Sequence, residues 1–416
     1  MTDPYHFYTS VTRCSDLWQL PFDVSRIERS RWATGDFVVG EVTGERNRLY
    51  RCETKTGRMA ELVRGDRVVG ALGVRCATLE GVGDWRAVGP ELELDALTGA
   101  GLLGKATSTS PMLPDLMGLI YRGHVCRDQR KVTMSDFVPA IEAEALNVAV
   151  VLIIGTSMSA GKTASGQVII RELKALGCRV TAAKLTGAAR YRDILCYRDA
   201  GADAILDFVD AGLPSTVCSA ARFDAALGHL AARINATHPD VLVAEAGASP
   251  LEPYNGALAM ERLRNQTRMI VLCASDPYAA LGVREAFGIE PDLVSGPAAN
   301  TDAAVSLVGQ LVRLPALNLL DHACRPHLRG LLRDRLGLPP AGRRGQRSRL
   351  AARICPSALR RAPVSARTPA RPSRRWAASR WTRRSPRCFG PSSPNPASCR
   401  WPAADSRPCG CRAADR

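Results

Sequence analysis

One stretch constrains this 416-residue chain more than any other: Val148 to Thr163, VAVVLIIGTSMSAGKT. Its first seven residues are apolar, rich in β-branched side chains and closed by a glycine. Such a run reads as a strand buried on both faces of a parallel sheet. Small residues follow from Gly155 to Ala160, then Gly161-Lys162-Thr163. A helical pattern comes next, with Val168, Ile169, Leu173 and Leu176 at helix-like spacings and Gly177 placed as a stop. Strand, small-residue turn, Gly-Lys-Thr and helix together describe a phosphate-binding loop. Glycines let backbone N–H groups curl around phosphate oxygens, and the helix N-terminus adds partial positive charge. In that arrangement Lys162 reaches the β- and γ-phosphates and the Thr163 hydroxyl binds Mg²⁺. The cradle runs over Gly155, Thr156, Ser159, Ala160, Gly161, Lys162 and Thr163. The plainer alternative is an ordinary strand-to-helix turn that happens to contain Gly-Lys-Thr.

From Asn147 onward strands and helices alternate, which predicts a doubly wound α/β domain with a mostly parallel sheet. Expected strands are Arg179 to Lys184, Asp240 to Ala244, Met269 to Ala274 and Asp292 to Ser295. Expected helices lie near Arg222 to Ile234, Gly256 to Arg264, Tyr278 to Phe287 and Asp302 to Val312. Ligands of such sheets bind at the carboxyl ends of the strands. Two charged residues stand there, Lys184 and Glu245. An acid at the end of a buried strand is costly without a cation partner, so Glu245 reads as paired or metal-bound. Asp193 follows directly after Arg190-Tyr191-Arg192, with Asp199, Asp203, Asp207 and Asp210 as rival acids. Mg²⁺ takes oxygen ligands and keeps several waters, so one or two carboxylates beside Thr163 suffice. Arg190 and Arg192 suit a carboxylate or phosphate in a bidentate clamp, or a place in solvent. Tyr254 and Asn255, in the polar loop after Glu252, are expected near a substrate pocket. Asp276 reads as a helix cap.

The glycine spacing departs from the usual phosphate loop. Five residues separate Gly155 from Gly161 instead of four, and Thr156 stands where the first glycine belongs. This GTxxxxGKT form resembles the loop of dethiobiotin synthetase and its relatives, which include the cobyrinic acid amide synthases. The resemblance covers roughly residues 147–312. It implies a P-loop NTPase fold using ATP and Mg²⁺, an acidic small-molecule substrate and a possible homodimer. It implies that Lys184, with Thr186 as the following hydroxyl, touches the γ-phosphate or substrate. It implies that Asp193 and Glu245 help hold Mg²⁺, that Gly247 lets a ligand approach closely, and that Asn300 reads the purine ring. Ala246 and Ser249 replace two glycines of the family segment after Glu245, so the substrate side is expected to differ.

The resemblance does not reach residues 1–140. There, short apolar runs separated by glycines and charges predict a small β-rich barrel or sandwich: Phe37–Val42, Arg48–Cys52, Arg58–Val63, Arg67–Leu72 and Ala77–Val82. Gly35-Asp36 and Gly65-Asp66 suit hairpin turns. Leu102 to Ser110 reads as a solvated loop, with Lys105 a remote phosphate contact. His124 reads as structural. Of the net charge of +16, residues 341–416 carry +17 in 19 Arg, no Lys and 2 Asp. The body is therefore at −1, and the strongly basic balance is no sign of a nucleic-acid partner. The Arg/Pro/Ser-rich tail predicts disorder. It also matches GC-rich DNA read out of frame, or a polybasic arm. MTDPYHFYTS is no signal segment, no apolar run approaches the roughly 20 residues of a membrane span, and the cysteines form no CxxC in the body. A cytoplasmic location is expected.

These readings together predict an ATP-dependent ligase- or kinase-type enzyme acting on a carboxylate-bearing small molecule. Lys162, Lys184 and Glu245 are its expected catalytic residues, and Thr163, Asp193 and Glu245 its expected metal ligands. Two alternatives stay open at this point. One is a nucleotide-hydrolysing switch or chaperone acting on a protein partner. The other is an acyltransferase that binds acyl-CoA on the same scaffold.

Overall fold

The computed structural model describes residues 6–44 and 51–339. The basic tail expected at 341–416 lies outside them. Strands in the first part of the chain are β1 (His6–Tyr8), β2 (Asp23–Ser25), β3 (Phe37–Val42), β4 (Arg51–Glu53), β5 (Met59–Glu61) and β6 (Arg67–Leu72). They continue as β7 (Val74–Ala77), β8 (Gly81–Asp84), β9 (Glu93–Ala96), β10 (Leu102–Thr109), β11 (Gly118–Arg127) and β12 (Arg130–Lys131). The sheet runs β6-β3-β11-β9-β10, and β10 pairs back onto β6 in parallel through Leu102–Ala71 and Leu103–Leu72. This closes a small barrel, and closure leaves no unpaired edge around the ring. Of the two expected forms, barrel or sandwich, the chain takes the barrel.

The run Phe37-Val38-Val39 has no polar alternation because both its faces are buried. Val38, Val68, Leu72, Leu94, Leu103 and Leu119 fill the barrel. Phe37, Val39, Val69 and Ala71 point outward and join the core of the second lobe. Each Val, Leu or Phe side chain among them removed from water contributes about 1.5–3 kcal/mol. Two expectations are corrected here. Ala77–Val82 is not one strand but the turn of a hairpin, β7–β8, in which Ala77 pairs with Gly81. Leu102–Ser110 is not a loop but β10, and Lys105 pairs with Glu93 at 3.0 Å and Asp95 at 3.8 Å. The long strand β11 was not anticipated, because glycines and arginines interrupt its apolar residues. His124 lies on it, fully buried between Tyr121 and Asp36, and is structural.

The second lobe is a six-stranded, wholly parallel sheet: β13 (Ala149–Gly155), β14 (Val180–Thr186), β15 (Ala204–Asp207), β16 (Val241–Ala246), β17 (Thr267–Cys273) and β18 (Leu293–Ser295). The order is β15-β14-β16-β13-β17-β18. Helices flank it: α1 (Lys162–Ala175), α2 (Tyr191–Asp199), α3 (Ala220–Ala236), α4 (Gly256–Leu263), α5 (Pro277–Phe287), α6 (Asp302–Val312) and α7 (Arg325–Leu336). This is the doubly wound α/β fold of the P-loop NTPases, preceded by a β-rich lobe. In β13, Val150, Leu152 and Ile154 face the core shared with the barrel. Ala149, Val151 and Ile153 face α1 and α7 on the other side. Edge strand β15 was not anticipated; it is four residues long and half-buried at its start. Neither was α7, whose Leu328, Leu332 and Leu336 pack beside α1.

Candidate functional site

The strand order puts β13 and β16 side by side in mid-sheet, with β14 next to β16. Ile153 is opposite Glu245, and Glu245 is opposite Lys184. The loop after β13 and the charged ends of β14 and β16 therefore open into one crevice, as the rule for parallel sheets requires. The cavity has a volume of about 410 Å³. Its floor is Ser159, Gly161, Lys162, Thr163, Lys184, Asp193 and Glu245, and its rim carries Arg190 and Arg192. Its roof comes from the barrel lobe: Glu53, Arg75, Glu80 and the backbone around Gly99.

Lys162 begins α1 and folds back over its own loop, where Nζ donates to the Ser157 carbonyl at 2.6 Å. Burial pulls its pKa below the ordinary lysine value, and the Glu245 charge only partly offsets this. Gly155 lies close under it: a Cβ there would stand 2.8 Å from Lys162 Nζ and displace the lysine side chain. Thr163 Oγ1 donates to Glu245 Oε2 at 3.2 Å. The Tyr197 hydroxyl donates to the same carboxylate oxygen in a very short contact. Burial, then the Glu245 charge, push the Tyr197 phenol far above its usual pKa, so it remains a donor.

Lys184 Nζ donates to Asp193 Oδ2 at 2.6 Å, with the lysine side chain 7% exposed. Burial opposes the charge on both groups, but their mutual attraction wins. Lys184 is held above the ordinary lysine pKa and Asp193 below the ordinary carboxylate range. The four rival acids are elsewhere or otherwise engaged. Asp203 binds Lys174 at 2.6 Å, and Asp207 and Asp210 bind Arg13 at 2.5 and 3.1 Å. Asp199 ends α2 away from the cavity.

Other expected residues hold the scaffold. Thr156 Oγ1 accepts from the Ser275 backbone at 3.1 Å, tying the loop to the end of β17. Ala160 is buried beneath the loop. Asn300 follows the 3-10 turn Pro297–Ala299; it is exposed and does not line the cavity. Thr186 Oγ1 accepts from Gly247 N at 3.1 Å. Gly247 is a glycine because a Cβ would stand 2.2 Å from the Thr186 carbonyl, so it admits the neighbouring strand as well as lining the cavity. Tyr254 and Asn255 do not line the pocket. Tyr254 is fully buried and accepts from Cys76 N at 2.8 Å, and Asn255 Nδ2 donates to the Thr216 and Cys218 carbonyls. Asp276 caps α5, as expected.

Four site residues were missed. Tyr197 lies four residues after Asp193, one helical turn on, which is the only local sign of it. Glu53 sits under the start of α2, accepting from Tyr191 N and Arg192 N at 2.7 Å each. A carboxylate there satisfies two orphan N–H groups. Arg75 and Glu80 come from the β7–β8 hairpin. Among the described residues no group of three or more His, Cys, Asp or Glu is placed to hold a metal ion. Burial pushes four thiols up, those of the half-buried Cys14 and of Cys52 to about 12 and those of Cys178 and Cys273 to about 11, so they are poor nucleophiles. No helix among the described residues is long and apolar enough to cross a membrane.

No protein-family model matches the chain, and no curated protein matches it. Among solved structures it is similar to a DUF1611 family protein from Anabaena variabilis, at 17% identity and a TM-score of 0.33 over 47% of this chain. The chain spans 62% of that protein's length. It is also similar to HypB from Helicobacter pylori, at 16% identity and a TM-score of 0.30, covering 47% of this chain and 91% of HypB. A ParA family ATPase from Chlorobium tepidum matches at 13% identity and a TM-score of 0.25, over 50% of this chain and 96% of the ATPase. The fold assignment rests on the chain's own strand order and loop.

Proposed function

We propose that this chain binds ATP with Mg²⁺ on its phosphate loop and activates or phosphorylates a carboxylate-bearing small molecule beneath the barrel lobe. The observation that carries the reading is the convergence of Lys162, Thr163, Lys184, Asp193 and Glu245 at three adjacent strand ends. The donor set suits Mg²⁺: a hydroxyl and a carboxylate oxygen stand 3.2 Å apart beside the loop, and Asp193 is a second carboxylate in the same cavity. Bound Mg²⁺ would neutralise phosphate charge. Lys162 leaves the Ser157 carbonyl for phosphate oxygens, and the buried ammonium gains the anion it lacks. Lys184 stabilises charge on the reacting group, and Arg190 and Arg192 receive the substrate carboxylate at the rim. Such catalysis is positioning plus electrostatics. The likeness to dethiobiotin synthetase in the loop supports the reaction class. The barrel lobe, absent from that resemblance, argues for a different substrate.

A second reading rests on a separate observation. Both acids already have protein partners, Asp193 in Lys184 and Glu245 in Tyr197 and Thr163. Lys162, bonded only to the Ser157 carbonyl, is then the floor's cation left for a pyrophosphate, which an acyl-CoA also carries, and acyl transfer to an acidic acceptor would follow. Calorimetric titration of the full chain with ATP, GTP and acetyl-CoA, with and without Mg²⁺, separates the two. Mg²⁺-dependent ATP binding lost in Lys162→Ala supports the first reading. Metal-independent acetyl-CoA binding lost in the same variant supports the second, and binding of none by folded protein overturns both.

A further inference from the structure

The β7–β8 hairpin reaches across from the barrel to the phosphate loop. It is held close to its turn: the N–H of Cys76, late in β7, is taken by the Tyr254 hydroxyl, and that of Thr78, the first turn residue, by Glu252 Oε1, at 2.8 Å each. Glu252 Oε2 in turn accepts from Ser249 N at 2.7 Å. At the turn, Glu80 Oε1 accepts from Ser159 Oγ at 3.0 Å, and its other oxygen is in a very short ion pair with Arg75 Nη2. Ser159 belongs to the phosphate loop and has φ +64°, a conformation that costs a non-glycine residue energy unless something holds it. A carboxylate thus sits on a loop whose exposed donors suit an anion. Arg75 Nη1 is fixed separately, on the Leu97 carbonyl at 2.8 Å, while its buried Nε has no hydrogen-bond partner among the described residues. Its side chain is 12% exposed and lines the same cavity as Lys162.

We propose that Glu80 is a built-in stand-in for a ligand phosphate, and that a polyphosphate-bearing ligand displaces it and takes over Arg75. The inference deepens the phosphate-binding reading above and rests on it. Like charges repel, so a polyphosphate entering the loop drives the Glu80 carboxylate off Ser159. Only the Glu80 side chain needs to swing, because Cys76 N, Thr78 N and Arg75 Nη1 stay anchored. Arg75 then offers Nη2 to a phosphate oxygen, a charge-assisted contact of the kind arginine makes best. The barrel lobe in this way contributes a ligand-binding cation to a site whose other cations come from the α/β lobe.

The probe is inorganic tripolyphosphate, which carries the shared chemistry of nucleotide and CoA without a base. Calorimetry on the full chain compares wild type with Glu80→Gln, Glu80→Ala, Arg75→Met and Lys162→Ala, each checked for an intact thermal transition. Expected are binding about tenfold tighter in both Glu80 variants and at least tenfold weaker in Arg75→Met. The double variant Arg75→Met/Glu80→Gln should bind like Arg75→Met, because the gain runs through the freed guanidinium. Glu80 variants that bind no tighter than wild type, while Lys162→Ala loses binding, overturn the exchange and leave the phosphate loop standing. Tripolyphosphate that fails to bind wild type also overturns it, whereas the loop reading is judged separately by the nucleotide and acetyl-CoA titrations.

Discussion

Glu245 is 3% exposed, and two hydroxyls, Tyr197 and Thr163, donate to the same oxygen of its carboxylate. Tyr197→Phe removes one donor without opening a cavity. The expected loss is about 1–3 kcal/mol, the cost of leaving a buried acceptor under-satisfied. For a cooperative body larger than about 250 residues that lowers the thermal midpoint by about 1–2 °C per kcal/mol. A Tyr197→Phe melt equal to wild type would mean that water reaches Glu245 and that the tyrosine is not its anchor. Glu245 and Lys184 were legible in the sequence because each ends an apolar run, where a charge is costly without a purpose. Tyr197, Glu53, Arg75 and Glu80 were not. Tyr197, Glu53 and Glu80 reach partners 48, 138 and 79 residues away in sequence, and Arg75 meets Glu80 five residues on only because the chain turns back between them.

Helix α2 gathers these contacts into one element. Nine residues are too few to be helical alone. Glu53 caps its start, Asp193 fastens its first turn to Lys184, and Tyr197 fastens the next to Glu245. Asp193→Asn leaves the buried Lys184 ammonium without its counter-charge, and breaking such a pair costs about 3–5 kcal/mol. The pH dependence has a definite sign. The folded pKa of Asp193 lies below the ordinary carboxylate value, so its stabilisation is complete above about pH 4 and is lost as pH falls through the folded value. Denaturant melts of wild type and Asp193→Asn should therefore differ most near neutrality and converge in acid. A gap that stays constant down to pH 2 would exclude the ion pair as its source. At this scale the α/β lobe was largely legible, since long periodic runs define its strands and helices. The barrel was less so: its strands are short, buried on both faces or broken by glycine, and β7–β8 was read as one strand because a three-residue turn looks like its flanks.

Across the whole molecule, the outward face of the barrel and the sheet of the α/β lobe share one hydrophobic cluster, from Phe37 and Val69 through Leu152 and Ile154 to Phe223. All described residues fall in one compact unit. A buried ion pair reinforces the junction: Arg13, 8% exposed, binds Asp207 and Asp210 and lies 4.7 Å from the centre of the Tyr191 ring. Burial works against the Arg13 charge, but the two acids more than offset it, so the guanidinium stays protonated throughout the working range. Arg13→Met keeps much of the side-chain volume and strands Asp207, whose side chain is fully buried. The expected cost is about 3–5 kcal/mol. Because the core is continuous, that loss should lower the melting of both lobes together. Calorimetry of wild type should show the described lobes unfolding in one transition, and Arg13→Met should move it down without splitting it. If the variant instead shows two transitions, with the α/β lobe melting where it did in wild type, the junction is a docking surface between independently stable bodies. Separable lobes would also change how the roof works. Arg75 and Glu80 would then reach the phosphate loop by closure of the barrel lobe, not from a fixed position, and affinity would depend on lobe docking as well as on the Glu80 charge.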